Sequence, residues 1–225
     1  MKIEEIKREI AHGDCSAETM ELFKTALRRV PKRNRCQHCY TLAASMPPRL
    51  YEQAIALIQY GLEEHCEDWF DRLRSYHNLA GILEDRGDYV GAKQAYQEVL
   101  KAAESANRPQ YRAEYALHLL RVEMHRSNFT YTEDLENYCN DALQADAFSQ
   151  AFQRNTFYRL LAEIIVFIRK NDMASAKAAF SAARDMLRPD ATGALTDLLK
   201  RHGIRESAGV TKAARAFLDR IEQMF

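Results

Sequence analysis

Along most of this chain, apolar residues recur at three- and four-residue spacing with polar residues between them, the pattern of helices that each bury one face. Ile3, Ile6 and Ile10 predict a short helix over 2–12, stopped at Gly13. Asp14 or Ser16 is placed to cap a second helix, whose stripe is Met20, Phe23, Leu27 and Val30 and which Pro31 ends. The clearest stretch is 76–99. Tyr76, Leu79, Ala80 and Leu83 share a face, and Gly87 stands where a left-handed C-cap is wanted. Asp88 can then cap a helix with Tyr89, Ala92, Tyr96 and Val99 on its face. Ala80 and Ala92 let the two backbones approach. A hairpin of this kind cannot bury both faces alone and predicts neighbours on either side.

The same pattern recurs. Cys39-x2-Leu42-Ala43, Tyr76-x2-Leu79-Ala80, Tyr115-x2-His118-Leu119 and Tyr158-x2-Leu161-Ala162 begin 37, 39 and 43 residues apart. Each is followed by a second-helix signature: Tyr51-x2-Ala54-x3-Ile58, Tyr89-x2-Ala92-x3-Tyr96, Leu135-x2-Tyr138-x3-Ala142 and Met173-x2-Ala176-x3-Phe180. Met46-Pro47-Pro48, Asn107-Arg108-Pro109 and Leu187-Arg188-Pro189-Asp190 punctuate the hairpins. Thr132 is a cap candidate in the third turn, and Asn171-Asp172 forms the fourth. Leu195, Leu198 and Leu199 predict a short helix stopped by His202-Gly203. A last helix over 207–224 carries Val210, Ala214, Phe217, Leu218 and Ile221, with Phe225 beyond it.

The residues Tyr76-x2-Leu79-Ala80-x2-Leu83, Gly87, Tyr89, Ala92 and Tyr96 resemble a tetratricopeptide repeat, best matched over 73–106. The closing proline of that repeat is absent, Glu104 standing near its place, and the spacing here exceeds the family's period. The expected fold is all-α, a right-handed superhelix (α-solenoid) of antiparallel helical hairpins in one domain. Residues 1–34 and 190–225 would cap about four hairpins over 35–189. The resemblance implies a concave groove lined by the first helix of each repeat. Its positions here are Arg74, His77, Asn78, Gly81, Glu84 and Asp85, joined by Arg112 and Glu114 and by Arg159 and Glu163. An amide at Asn78 would offer a donor and an acceptor to a partner backbone. The implied function is non-catalytic binding of a protein or peptide, with a second copy of the chain among the candidate partners.

Charge changes this picture little. The 225 residues carry 32 Lys+Arg against 32 Asp+Glu, which argues against a general nucleic-acid binder. Eight Gly and five Pro suit long helices with short connections. No apolar run reaches the length of a membrane span, and the charged N-terminus has no signal core, so the expected location is cytoplasmic, with reduced thiols.

Candidate chemistry is sparse. Cys36-Gln37-His38-Cys39 has ligand types that suit zinc, but a structural site needs four ligands and no second C-x-x-C exists. The plainer reading places Cys39 at a core position with Cys36 one turn earlier. Phosphate loops, dinucleotide fingerprints, G-x-S-x-G elbows and H-E-x-x-H pairs are absent, so neither an enzyme nor a cofactor is expected. Two other readings stay open: an inhibitor or immunity protein that masks an enzyme's active site, and a nucleic-acid binder using a basic loop at Lys32-Arg33-Asn34-Arg35.

Overall fold

The computed structural model describes residues 2–13, 15–130, 132–144, 156–187 and 208–225, the side chains of 208–211 excepted. The Asp14 cap, the helix at Leu195–Leu199, its stop at His202-Gly203, the basic residues Arg188, Lys200, Arg201 and Arg205, and the Val210 side chain lie outside the described residues. Among the described residues the chain is all-α, with no strand. Its helices are α1 (Ile3–His12), α2 (Ala17–Leu27), α3 (Lys32–Ser45), α4 (Tyr51–Glu64), α5 (Trp69–Asp85), α6 (Tyr89–Ser105), α7 (Gln110–Arg126), α8 (Glu133–Ala142), α9 (Thr156–Arg169), α10 (Met173–Met186) and α11 (Ala208–Glu222). None of the described helices is long and apolar enough to cross a membrane.

Local chemistry accounts for the ends. Gly13 and Gly87 stop α1 and α5 in the left-handed region, at φ 115° and 77°. Asn107 and Asn171 take the same conformation after α6 and α9. At the N-termini, side-chain oxygens accept from otherwise unpaired backbone N–H groups: Ser16 from Thr19, Asp88 from Gly91, Thr132 from Leu135 and Asp172 from Ser175. One reading changes here. Lys32–Arg35 is not a loop but the first turn of α3, because Pro31 supplies the extended residue that opens a helix, and a 3-10 turn over Pro48–Leu50 then leads into α4.

The chain divides into two compact units, and the division runs through α5 and α6. The first comprises 1–83 and 94–107. Here α1 packs on α2 and on α3, and α3 pairs with α4. Ile6, Ile10, Phe23, Leu27, Leu42, Ala43, Ala54 and Ile58 form its core. α3 and α4 come unusually close at Gly61, where an added Cβ would stand 2.8 Å from the Cys39 Cβ. Three polar contacts tie α3 to α5: Cys36 Sγ to Ser75 Oγ (3.4 Å), Tyr40 OH donating to Asp71 Oδ1 (3.3 Å) and Asn78 Nδ2 donating to Tyr40 O (3.2 Å).

The second unit comprises 84–93 and 108–225. Here α7 pairs with α8, α9 pairs with α10 and lies against both α8 and α7, and α11 packs on α10. α7 is buried on every side from Tyr115 to Met124, including its polar His118, Arg121 and Glu123. That placement demands internal partners for all three. Most of the repeated pattern positions are buried here: Tyr115 and Leu119 on α7, Leu135 and Ala142 on α8, Tyr158, Leu161 and Ala162 on α9, Ala176 and Phe180 on α10; Tyr138 is half-buried and Met173 is exposed.

Candidate recognition site

The residues expected to line a groove divide between solvent and internal partners. Arg74 is exposed on α5. His77 is half-buried, its ring edge-on to Tyr96 at 6.2 Å. Asn78 spends an amide N–H on the Tyr40 carbonyl of α3, a helix-to-helix tie. Glu84 accepts a two-pronged pair from Arg121, Nε at 2.9 Å and Nη2 at 2.7 Å, with both side chains only 6% exposed. Asp85 ends α5, half-buried. Arg112 is exposed and pairs with Asp141 across α7 and α8 at 2.9 Å. Arg159 donates to Glu163 and, at 2.6 Å, to Ala142 O, satisfying a carbonyl at the C-terminal end of α8. Arg74, His77 and Asn78 belong to the first unit, Glu84, Asp85, Arg112 and Arg159 to the second.

The basic stretch at the start of α3 is likewise engaged. Lys32 pairs with Glu67, and Arg35 donates to the carbonyls of Val30 and Arg28, which close the end of α2. Cys36, His38 and Cys39 do not converge. Cys36 faces Ser75, Cys39 faces Gly61, and His38 Nδ1 lies 3.8 Å from Glu4. Among the described residues, no group of three or more His, Cys, Asp or Glu side chains is placed to hold a metal ion.

The second unit contains a concavity that sequence reading missed. A cleft of about 420 Å³ opens between α9 and α11, beside the connection from α7 to α8. Its walls are Ile165 and Ile168 from α9 and Phe217 and Ile221 from α11, with Met224 following. Thr130, Arg169 and Arg220 complete the lining. The volume falls in the range of small-ligand and side-chain pockets. Met224 is 57% exposed, a large apolar residue left toward solvent at this lining.

Arg220 ties one wall of the cleft to the α7–α8 connection. The α7–α8 connection takes a left-handed turn at Asn128 and Phe129, with φ of 50° and 57°. For a bulky Phe this backbone costs about 1–2 kcal/mol. Burial of its ring, 1% exposed and edge-on to His125, offsets that cost. The turn aims the Phe129 carbonyl at Arg220, whose Nη2 donates to it at 2.9 Å while the guanidinium lies 6.0 Å from the Phe217 ring. A carbonyl neutralises no charge, so Arg220 keeps its positive charge at the lining. Arg169 pairs with Glu136 of α8.

Two buried polar clusters brace the same unit. Glu123 has no exposed side-chain surface and accepts from Arg126, Lys93 and Thr132. Burial opposes its charge, but these hydrogen bonds outweigh burial and pull its carboxyl down to about 2. Lys93 also reaches Asp134 at 2.7 Å. His125 stacks on Tyr89 at 5.0 Å and shares a 2.5 Å hydrogen bond with the Tyr158 hydroxyl. Burial first, then the nearby Arg121 charge, pushes its imidazole down to about 3, so it is neutral at physiological pH.

Signals for the cleft existed one helix at a time. Ile165 and Ile168 lie on α9, the most apolar stretch of the chain, and Phe217, Ile221 and Met224 fall at helical spacing near the C-terminus. Nothing local joined them. Comparison of the chain with protein-family models found no match, comparison with curated proteins found none, and comparison with solved structures found none.

Proposed function

We propose that this chain is a non-catalytic recognition module of tetratricopeptide-like hairpins, wound as a right-handed solenoid, that binds a segment of a partner protein. The bound segment presents bulky apolar side chains to the α9–α11 cleft and a carboxylate to Arg220. The observation that carries this reading is the cleft: a preformed apolar trough with two guanidiniums at its lining. Packing of first helices side by side, α7 with α9 and α3 tied to α5, is what stacked hairpins require, and it supports the repeat reading. Walls made of packed helices lose little ordering entropy on binding, which favours affinity from a small contact. The face of α5 is a weaker candidate, because Asn78 and Glu84 already serve the fold.

A random-peptide phage library panned on the wild type, on Ile168→Glu and on Arg220→Glu tests this, with circular dichroism confirming that each variant is folded. The wild type should enrich peptides with Leu, Ile or Phe beside Asp or Glu. Ile168→Glu should lose them, and Arg220→Glu should lose the acidic preference. Enrichment that both variants retain would move the site elsewhere. Failure to enrich any peptide on the wild type would sink the cleft as a peptide site.

A further inference from the structure

The main chain around the α9–α11 cleft is spent on the fold. Ile165, Ile168 and Arg169 lie inside α9, and Phe217, Arg220 and Ile221 inside α11, each beyond the first turn of its helix. Their N–H groups are therefore bonded to carbonyls four residues back. Outside the helices, the Thr130 N–H donates to Ser127 O at 3.1 Å and the Met224 N–H to Ile221 O at 2.9 Å. Carbonyls beside the cleft are taken as well: Ile168 O accepts from the Asn171 N–H, and Phe129 O from Arg220. No described lining residue has a backbone N–H to offer a bound chain. Among the described residues there is no strand, so no sheet edge is present for a segment to extend.

Such a lining selects the conformation of what it binds. An extended segment laid over it loses water from its own N–H and C=O groups and gains no main-chain partner for its carbonyls. An α-helix arrives with those groups paired inside itself and presents only side chains. The dimensions agree. Phe217, Ile221 and Met224 recur at three- or four-residue spacing along one wall, a row of roughly 10 Å at helical rise. Apolar residues at i, i+3 or i+4, and i+7 of a second helix span the same length. Met224, 57% exposed, leaves the end of that row open to a partner. Arg220 stands beside Ile221, so its charge flanks the row.

We propose that the occupant of the cleft is an amphipathic α-helix of a partner protein. An apolar stripe at i, i+3 and i+7 enters between α9 and α11, and an Asp or Glu beside the stripe pairs with Arg220. The inference rests on the cleft being the recognition site and adds the conformation and residue spacing of the segment bound there.

Two phage libraries panned on the full-length wild type test it. Both randomise positions i, i+3, i+4 and i+7 of an Ala-rich host of about 15 residues, long enough to form a helix. One host is uninterrupted, and the other carries a Pro at a central, outward-facing position, which breaks the helix but keeps the randomised side chains. The uninterrupted host should enrich Leu, Ile or Phe at i, i+3 and i+7 with Asp or Glu at i+4, and the Pro host should enrich nothing. By fluorescence anisotropy, a selected peptide should bind at least about tenfold more weakly after one outward Ala→Pro change. Mixing it with the protein should add helical circular dichroism beyond the sum of the two. Enrichment on the Pro host, lost with Ile168→Glu, would overturn the helix while leaving the cleft as the site. So would enrichment from the fully random library with none from the helical host. Helical peptides that bind Ile168→Glu as tightly as the wild type would put the helix on another face and overturn the proposal. Self-association of the wild type that Ile168→Glu abolishes, measured by sedimentation, would make a second copy the occupant and overturn it too. Failure of all three libraries would remove the cleft reading and this inference together.

Discussion

Glu84 shows how a polar residue on a helix can belong to the interior. Its position on the first helix of the clearest hairpin suggested a groove. Its partner, Arg121, stands 37 residues away, and both are almost wholly buried. The Arg121 Nη2 also donates to His118 Nδ1 at 3.2 Å, which joins a third buried polar group to the pair. Removing one partner leaves an uncompensated charge, which costs about 3–5 kcal/mol, whereas replacing both with apolar residues of similar volume is far milder. Urea denaturation should therefore find Glu84→Leu strongly destabilised and Glu84→Leu with Arg121→Met closer to the wild type than Glu84→Leu alone. A double variant as unstable as the sum of its singles would show that the pair is not coupled. Arg159 belongs to the same lesson. The sequence marks it as a cation on a first helix, but its job is to satisfy the Ala142 carbonyl.

Two glycines distinguish spacing from packing at the scale of the helix. Gly61 on α4 sits against the Cys39 Cβ, and a methyl there would meet it at 2.8 Å. Gly61→Ala should destabilise by about 1–3 kcal/mol, because the hairpin of α3 and α4 must separate to admit it. Gly81 on α5 has ordinary helical backbone and nothing within 4 Å of an added Cβ. There the same change removes only unfolded-state freedom, and Gly81→Ala should stabilise by roughly 0.5–1 kcal/mol. Thermal melts of the two variants should shift in opposite directions. Equal shifts would mean that the α3–α4 approach is looser than described. The sequence shows two glycines in helical context and cannot rank them. What ranks them is the neighbouring helix, which is set by the fold.

For the whole molecule, pH separates the buried charges. His125 titrates near 6.5 when unfolded and near 3 when folded. Between those values the unfolded chain holds a proton that the folded chain does not, so stability falls as pH falls. His38 and His65 are lowered too, burial first in each case, and act in the same direction. Glu123 contributes in a second window. Its folded value near 2 lies below the ordinary 4.5, so its stabilisation is present above 4.5 and disappears as pH drops toward 2. One such group changes stability by at most about 1.4 kcal/mol per pH unit. Urea midpoints measured from pH 7.5 to 3 should fall in both windows. His125→Gln should lessen the fall between 6.5 and 4.5, leaving the share of His38 and His65, and below 4.5 should leave the Glu123 contribution in place. An unchanged slope above 4.5 would mean that His125 is protonated in the folded chain.

The sequence by itself determined the helices, most of their ends and the core positions of the repeated pattern. Those features are local. A helical face is written within three or four residues, and the caps at Ser16, Asp88, Thr132 and Asp172 bond to backbone only three residues ahead. Tertiary structure alone decided which polar residues were exposed and where a concavity formed. Arg220 and Phe129 are 91 residues apart, Arg121 and Glu84 are 37 apart, and Cys36 and Ser75 are 39 apart. Each of those pairings depends on how helices pack, and a residue's own neighbours in the chain carry no record of the helix that will lie across from it. The cleft is the extreme case. Its walls come from α9 and α11 and Thr130 of the α7–α8 connection completes its lining, so it exists only once the second unit has folded.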